Sequence, residues 1–589
     1  MRTNRHFAEL APHALLAFTI GMFLPIRPAI AETSNENLTI SNQESGLVGY
    51  WKLGGDCRDY SGRNNHGINH GVELTAPDGA VFDGVKSYIE VPHDDLLCFG
   101  NDEFSIAAWI KCNPGAKSVP GDIVGKYDAT RRKGINFCIS SSSPAYSSMS
   151  DVRNVHFGID NAVEGQWVDC GRPCSSNTLI STLIVYKGHL YAGIADAADP
   201  HDACRVFRYA GGQKWVDCGR LGNDPTVHSV MSVIVHKGEL YAGSGTWDWI
   251  KNFAHKTGPA HVYRYESGTQ WHDCGSLGGP SQALGLASLD GQLYASVNSN
   301  DILRYDGDNN WTSCVDGWFD HHNSLMVYHD NLYTARMTVR RYGGDKAWDV
   351  TGYFKGKYNI NQIHSMVVYG GELYFGAWPI GMILKYQGGR DWLDCGYVGI
   401  DQKWEINEIN DFQVYNGKLY AGVLPKSRIW RYDGGKNWTP IKQLVSNPKW
   451  KPEQAAIETW NRVPCMTIYR GRLYVGTSTC HGRADANDMT NAGKVFSWEA
   501  GRSVSYDLDL GTEWKHVVAV RESNHLKLYI DGKLASTSPS ADADFNVSNN
   551  KNLLIGFGAE DYFSGKIREL RIYNRALSVR EAGRDLNRP

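Results

Sequence analysis

The chain has 589 residues, more than a single hydrophobic core normally organises, so two or more domains are expected. Its formal net charge of −3 gives no electrostatic reason to expect nucleic acid or an anionic membrane surface as a partner. The 13 cysteines are an odd number, so at least one thiol is unpaired or pairs with another chain.

The N-terminus has the features of an export signal. Arg2 and Arg5 precede an apolar run over 14–26, and Ala29 and Ala31 provide an A-x-A cleavage site. The run is too short to span a bilayer comfortably, and no later stretch is long and apolar enough to cross one. We therefore predict a signal peptide over 1–31 and a polar linker over 32–45. The mature chain should be secreted, either extracellular or periplasmic, with no transmembrane segment.

The middle of the chain repeats one phrase. Each copy has an apolar run, a tight Gly-containing turn and then Leu-Tyr. The tyrosines of these pairs are Tyr191, Tyr241, Tyr294, Tyr333, Tyr374, Tyr420 and Tyr474. Alternating apolar and polar residues fit four strands per copy: strand a before the turn, strand b after it, strand c such as "RIWRY", and strand d, which opens with Trp and often reads "WxDCG". The spacing between successive tyrosines is the period of the repeat. Repeats of this period with several short strands each indicate a β-propeller.

The last copy lacks strand d. The tryptophans that open this strand are Trp215, Trp271, Trp311, Trp348, Trp392 and Trp438, six against seven Leu-Tyr pairs. A further strand of the same type, "QWVDCG" at 166–171, stands before the first copy. We predict that it completes the last blade. This would close a seven-bladed ring over 164–500 and remove the exposed edges of an open stack.

The segments on either side of the repeats have a different pattern. Before them stand "GLVGYWKLGGDCRDYSGRNNHG", "FDGVKSYIEVP" and "FSIAAWIKC", and after them "WKHVVAVRESNHLKLYIDGKLASTS" and "YFSGKIRELRIYNRALS". In this order, these motifs resemble the two halves of a laminin-G-like, concanavalin A-like lectin domain. The intervening repeat resembles a kelch-like propeller.

The resemblance implies an all-β fold, in which a jelly-roll sandwich formed by 46–163 and 501–589 is interrupted by the propeller. Such an insertion is physically simple, because the entry and exit strands of a closed propeller are neighbours. The resemblance also implies a ligand surface on the concave face of the jelly roll. No cofactor is certain, but Ca²⁺ is common among relatives of the jelly roll, and the weak candidate ligands here are His93, Asp94, Asp95 and Asp561.

One face of the propeller carries the unusual residues. The a–b and c–d turns are short and Gly-rich, whereas the d–a and b–c loops are often long, and function concentrates on such loops. Because the jelly roll replaces a c–d turn, we expect it beneath the tight-turn face. Strand a lines the channel, so residues before it should ring the open mouth. The candidate ligand-binding residues are Trp247, Trp249, Trp318, His228, Asn323, Trp404 and Arg462.

Exposed tryptophans stack on sugar rings, and His, Asn and Arg bond to hydroxyl or acidic groups. We therefore predict a carbohydrate-binding, lectin-like protein that recognises an extracellular polysaccharide or glycan. Taken singly, each residue is explained better by core packing or by a hydrogen bond between blades, and it is their clustering on one face that favours a site.

Two alternatives stay open. The first is a polysaccharide lyase or glycoside hydrolase acting in the propeller funnel, with the catalytic candidates His321, His322, His364 and Asp411. The second is an extracellular protein-interaction or adhesion scaffold. Spacing does not place the acid and base groups, so binding is favoured over catalysis.

Overall fold

The structure, a computed structural model, describes residues 44–583 except 76–77, 115–118, 142–147, 175–178, 196–202, 247–257, 281, 299–300, 317–323, 355–357, 401–404, 447–460, 479–490 and 541–543. The strands below all lie within the compact unit 45–589. Among the described residues, no helix has the length and apolar character needed to cross a membrane.

Short strands account for most of the described chain. The N-terminal flank forms β1 Leu47–Trp51, β2 Ile68–His70, β3 Glu73–Thr75, β4 Gly79–Asp83, β5 Tyr88–Val91, a 3₁₀ turn Asp95–Leu97, β6 Phe104–Cys112, β7 Gly121–Asp128, β8 Lys133–Ser140 and β9 Asn154–Glu164. The first part of the repeat region forms β10 Val168–Asp169, β11 Leu179–Tyr186, β12 His189–Ala195, β13 Arg205–Gly211, β14 Lys214–Arg220, β15 Ser229–His236, β16 Glu239–Gly245, β17 Pro259–Ser267, β18 Gln270–Pro280, β19 Ala283–Leu289, β20 Gln292–Val297, β21 Asp301–Gly307 and β22 Asn310–Ser313.

The second part of the repeat region forms β23 Ser324–Tyr328, β24 Asn331–Ala335, β25 Thr338–Gly344, β26 Ala347–Tyr353, β27 Gln362–Tyr369, β28 Glu372–Trp378, β29 Met382–Tyr386, β30 Trp392–Tyr397, β31 Glu408–Tyr415, β32 Lys418–Leu424, β33 Arg428–Gly434, β34 Asn437–Gln443, β35 Met466–Tyr469, β36 Arg472–Gly476 and β37 Val495–Trp498. The C-terminal flank forms β38 Ala500–Tyr506, β39 Lys515–Glu522, β40 His525–Ile530, β41 Lys533–Thr537, β42 Leu553–Ile555, β43 Ser564–Tyr573 and a helical turn Val579–Ala582.

The two flanks together build a sandwich of two antiparallel sheets. The distal sheet has the strand order β3-β4-β43-β6-β39-β40-β41, with β1 also paired to β43. The proximal sheet has the order β2-β5-β42-β7-β8-β9-β38. Residues of both sheets, among them Ile110, Phe137 and Ile567, meet in one buried core. Since each sheet mixes strands from before and after the repeats, neither flank completes a sheet alone.

The repeats form four-stranded antiparallel meanders. Five of these are separate sheets: β19–β22, β23–β26, β27–β30, β31–β34 and the sheet of order β10-β37-β36-β35. The meanders β11–β14 and β15–β18 are joined into one eight-stranded sheet, with the single residue pair Ala195–Ser229 between them. This succession of meanders is a β-propeller arrangement.

The predicted pairing of the upstream strand with the last meander is confirmed. Val168 and Asp169 pair with Ser497 and Phe496, so the strand before the repeats completes the last meander. The ring of Trp167 stacks on that of Trp498 with centroids 5.3 Å apart. On the innermost strands, the Cys465 thiol of the last meander donates to the Ile180 carbonyl of the first at 3.5 Å. The segment before the repeats is therefore paired with the last meander, and the first and last meanders also contact each other through their innermost strands.

The recurrent W-x-D-C-G motif joins neighbouring meanders. Trp271 Nε1 donates to the Cys218 carbonyl of the preceding meander at 2.8 Å. Asp217 accepts the N–H of Gly219 at 2.8 Å, and a Cβ on Gly219 would lie only 2.2 Å from the Thr269 carbonyl oxygen of the next meander. The same Trp-to-Cys bond links Trp215, Trp311, Trp348 and Trp438 to Cys170, Cys274, Cys314 and Cys395. These cysteine thiols are buried, as expected for small residues that fill space between blades.

The tight turns of the propeller pack on the proximal sheet. Asn416, in the turn after β31, donates to the carbonyl oxygens of Ile159 at 2.9 Å and Ala500 at 2.8 Å. In the turn after β11, the N–H of Gly188 donates to the Asp507 carbonyl at 3.0 Å. The expectation that the sandwich lies beneath the tight-turn face is confirmed.

This packing also covers one outer face of the sandwich. Asp122, Cys138 and His156 point outward from the proximal sheet, in register across β7, β8 and β9, and all three are buried. A ligand of the sandwich therefore has the outer face of the distal sheet available to it, but not this one.

Candidate ligand site at the propeller mouth

The structure describes part of the predicted site. His228, His364, Asp411 and Arg462 lie within the described residues. The other candidates lie outside them: Trp247, Trp249, Trp318, His321, His322, Asn323 and Trp404.

His364, Glu408 and Arg462 form a buried charged cluster. His364 lies at the start of β27, Glu408 begins β31, and Arg462 precedes β35, so three successive meanders contribute one residue each. Nδ1 of His364 is 3.5 Å from Oε1 of Glu408. An Arg462 guanidinium nitrogen is 3.6 Å from the other carboxylate oxygen. Residues at the entrances of three innermost strands thus bring an imidazole, a carboxylate and a guanidinium together.

The backbone on both sides of Arg462 is held in place. Its N–H donates to Ser478 Oγ at 2.9 Å, and its carbonyl accepts from Ser427 Oγ at 2.7 Å. Asn410 donates its side-chain amide to Glu408. The side chain of Asn461 is fully buried, and none of its polar atoms has a hydrogen-bond partner among the described residues. The cluster thus sits in a rigid frame that has hydrogen-bonding capacity left over.

Burial and neighbouring charges act in opposite directions on the pKa values of the cluster. Burial lowers the pKa of His364; Glu408 acts against this change, and Arg462 and Arg336 reinforce it. Burial alone would raise the pKa of Glu408, but His364, Arg462 and Asn410 outweigh it and hold that pKa below its ordinary value. The site therefore brings together an imidazole, a carboxylate and a guanidinium, which suit a polar or acidic ligand and can also transfer a proton.

The carboxylate beside His364 is Glu408. Asp411, named above as a catalytic candidate, makes a different contact. Asp411 is buried, and its Oδ2 accepts the N–H of Met466 at 2.6 Å. Burial raises the pKa of Asp411 well above its ordinary value. Its carboxyl links two meanders. A register shift between Ile409 and Asp411 interrupts the regular alternation of side chains along β31.

His228 contributes from a different meander. It precedes β15 and is half-buried, and its Nδ1 lies 3.1 Å from the carbonyl oxygen of Thr226 in the same loop. This places it at the equivalent position of its own meander, as the repeat alignment predicts.

The residues proposed for Ca²⁺ do not form a calcium site. His93, Asp95 and Cys98 have potential ligand atoms within 4.8 Å of one another, but they provide only one carboxylate, and Lys126 Nζ lies 3.3 Å from His93 Nδ1. Calcium takes six to eight oxygen ligands, so this set does not fit it. Asp561 is fully buried and accepts the N–H of Tyr562 at 2.7 Å.

Fold and sequence together define a concanavalin A-like jelly-roll domain combined with a β-propeller arrangement. Residues 443–582 match the family described as the concanavalin A-like lectin/glucanases superfamily. No curated protein matches the sequence.

Solved structures resemble the chain in fold only. The structure of YCF48 bound to D1 peptide is 12% identical, covers 56% of this chain and 96% of its own, and has a TM-score of 0.37. An inactive virginiamycin B lyase from Staphylococcus aureus is 10% identical, covers 56% and 98%, and has a TM-score of 0.40. The extracellular domain of BT4673 from B. thetaiotaomicron is 11% identical, covers 64% and 47%, and has a TM-score of 0.41. At these values the likenesses do not extend to function.

Proposed function

We propose that this protein is secreted and binds an extracellular glycan at the long-loop mouth of its propeller. In this proposal the eight-stranded sheet counts as two blades, which gives a kelch-like ring of seven. The ring occupies 164–500 and is inserted into a lectin-like domain formed by 46–163 and 501–589. Residues 1–31 act as the signal peptide and 32–45 as a linker.

The buried cluster of His364, Glu408 and Arg462 carries the proposal. Taking three ionisable groups and the amide of Asn461 out of water costs free energy unless each finds a good partner. His364 and Arg462 both contact Glu408, at 3.5 and 3.6 Å. The buried side-chain amide of Asn461 has no hydrogen-bond partner among the described residues, and a ligand rich in hydroxyl groups would supply one. A cluster of ionisable groups with perturbed pKa values is a candidate functional site.

A glycan array probed with the full chain tests the proposal. We expect binding to one class of polysaccharide, and Arg462→Gln should weaken it by about tenfold or more, because a hydrogen bond to a charged group contributes about 1.5–3 kcal/mol. Lys442→Gln, which removes one exposed charge from the outer strand β34, is the matched control. If the wild-type chain bound no glycan, or if both variants bound alike, the mouth would not be the site.

A lyase acting in the same mouth is the second candidate. It is favoured by the convergence of His364 with Arg462, since a lyase needs a base for the proton next to a uronate carboxylate and a cation for that carboxylate. A glycoside hydrolase normally uses two carboxylates, and Glu408 is the one that the described cluster provides.

Catalysis and binding separate in a single assay. Each glycan that binds is incubated with the chain, and new unsaturated or reducing ends are measured. If the protein is a lyase, unsaturated ends should form, and His364→Gln should abolish them while leaving binding in place. New reducing ends without unsaturation would indicate hydrolysis instead. If neither product forms, the protein is a binder alone.

A further inference from the structure

An arginine on the open face of the sandwich stacks against two tryptophans. Trp109 on β6 and Arg568 on β43 are register partners in the distal sheet, and Trp514 immediately precedes the neighbouring strand β39. The residues next to them in sequence, Ile110 and Ile567, point into the sandwich core. Trp109 and Arg568 therefore point away from the core, on the face opposite to the propeller-facing sheet.

The guanidinium of Arg568 lies over both indole rings. Its Cζ is 4.5 Å from the ring centroid of Trp514 and 5.6 Å from that of Trp109. The ring of His516 lies 5.2 Å from that of Trp109 and supports it from the next strand. A guanidinium held over aromatic rings can still use its N–H groups, which bind a carboxylate or sulfate in bidentate fashion.

Arg568 differs from the cations around it. Among the described residues, it has no carboxylate partner and no hydrogen-bond acceptor. Its neighbours on the distal sheet and its edges are ion-paired: Arg571 with Glu569, Lys515 with Asp531, Lys566 with Asp78, and Lys111 with Glu513. The arginine is thus held in place by the two tryptophans, and no carboxylate in the described part of the chain neutralises its charge. A positive group of this kind is suited to bind an anionic group.

The stack is also accessible. Trp109, Trp514 and Arg568 are each partly exposed. The C-terminal segment covers the other end of β6, where the N–H of Leu577 donates to Ser105 Oγ at 2.9 Å. Trp109 lies four residues further along the same strand and remains in contact with solvent.

We propose that Arg568, Trp109 and Trp514 form a second binding site, for the anionic group of an acidic sugar residue in a polysaccharide. The guanidinium edge binds the carboxylate or sulfate, and the indole rims contact the apolar side of the sugar ring. This goes beyond the glycan site at the propeller mouth, because it lies on the other structural part and selects for charge. Two sites on one polymer would raise the overall affinity through effective concentration.

Affinity electrophoresis of the full chain through gels that contain a defined polymer tests the site. Polygalacturonate supplies carboxylates, dextran sulfate supplies sulfates, and dextran is the neutral reference. We expect retardation by at least one of the anionic polymers and none by dextran. Which polymer retards the chain then identifies the anion. Retardation by dextran as strong as by both anionic polymers would overturn the proposal.

Variants connect the retardation to Arg568. Arg568→Gln should weaken binding by about tenfold to a hundredfold, the range expected for a hydrogen-bonded charged contact. Arg568→Lys should fall between, because it keeps the charge but loses the two-pronged donor geometry. Lys533→Gln, an exposed cation on β41 of the same sheet, should bind like the wild type. Thermal melting of every variant checks the fold. Equal binding by all three variants would refute the site.

The same gels keep the two sites apart. In an Arg462→Gln background, the further loss caused by Arg568→Gln should persist, whether or not Arg462 itself matters. If the Arg462 substitution alone removed all binding to the anionic polymers, the mouth would account for it and the proposal for Arg568 would fall.

Discussion

The carboxyl of Asp122 tests how the sandwich meets the propeller. Asp122 points outward from β7 of the proximal sheet, yet it is fully buried beneath the propeller. One carboxyl oxygen accepts the N–H groups of Glu560 at 2.8 Å and Asp561 at 3.2 Å, and the other has no hydrogen-bond partner among the described residues. Burial raises the pKa of Asp122 from 3.8 to about 7.

Asp122→Asn removes this titration and keeps an oxygen that can accept both N–H groups. Because the pKa in the folded state lies above that in the unfolded state, the folded state binds the proton more tightly. The stability from this group is therefore complete below about pH 4 and is lost as the pH rises through 7. A difference of about 3 pKa units at about 1.4 kcal/mol each corresponds to about 4 kcal/mol.

The measurement is the free energy of unfolding in urea at several pH values between 4 and 8. The difference in the free energy of unfolding, Asp122→Asn minus wild type, should increase by about 4 kcal/mol as the pH rises from 4 to 8. This increase does not depend on how stable the variant is at pH 4. Titrating groups that do not interact with Asp122 cancel in the difference, whereas Glu560, whose pKa Asp122 raises, contributes to it. Asp316→Asn, which changes an exposed carboxyl, should show a flat difference and serves as the control. A flat curve for Asp122→Asn as well would show that water or the opening of the interface reaches this carboxyl.

Three further substitutions test the contacts between blades and between the two structural parts. Gly211 and Gly219 have φ values of +97° and +96°, but only at Gly219 would a Cβ meet a backbone oxygen. Thermal melting should therefore show Gly219→Ala to be less stable than Gly211→Ala by about 2 kcal/mol or more, and equal melting would contradict that contact. Trp271→Phe leaves the Cys218 carbonyl without its donor and should cost about 1–3 kcal/mol in urea unfolding, whereas an unchanged midpoint would show that water replaces the bond. Asn416→Gly keeps the positive φ but removes the side-chain bonds to the sandwich, so limited proteolysis should become faster, and an unaltered digestion rate would count against this anchor.

The pairing of the upstream strand with the last meander could be predicted by counting the strands of each type in the sequence. Seven Leu-Tyr pairs stand against six tryptophans that open strand d, and the missing strand is found upstream at Trp167. Local pattern is enough for this, since each blade repeats the same period and the same turn chemistry.

The partners within the site could not be predicted in the same way. Whether Glu408 or Asp411 faces His364 depends on a register shift within β31, which has no signature in the residue types. The stack on Arg568 likewise depends on strands that are distant in sequence. Alternation around Trp109 and Arg568 indicates which face each occupies, but not that β6 and β43 are neighbours. The tryptophan predictions in the long loops stay predictions, since they lie outside the described residues.

The interleaved sandwich has a consequence for the order of assembly. Tyr50 on β1 bonds to Glu569 on β43, and the two residues are 519 positions apart in the chain. During synthesis β1 and β6 emerge before any strand with which they pair, while every strand of the propeller is made before β43 appears. The propeller can thus finish first and bring the two waiting halves of the sandwich together at its base. Some of the first strands to be made are therefore among the last to be covered, and their apolar side chains stay exposed while the rest of the chain is synthesised. The yield of folded protein should depend on chaperones more strongly than the final stability would suggest.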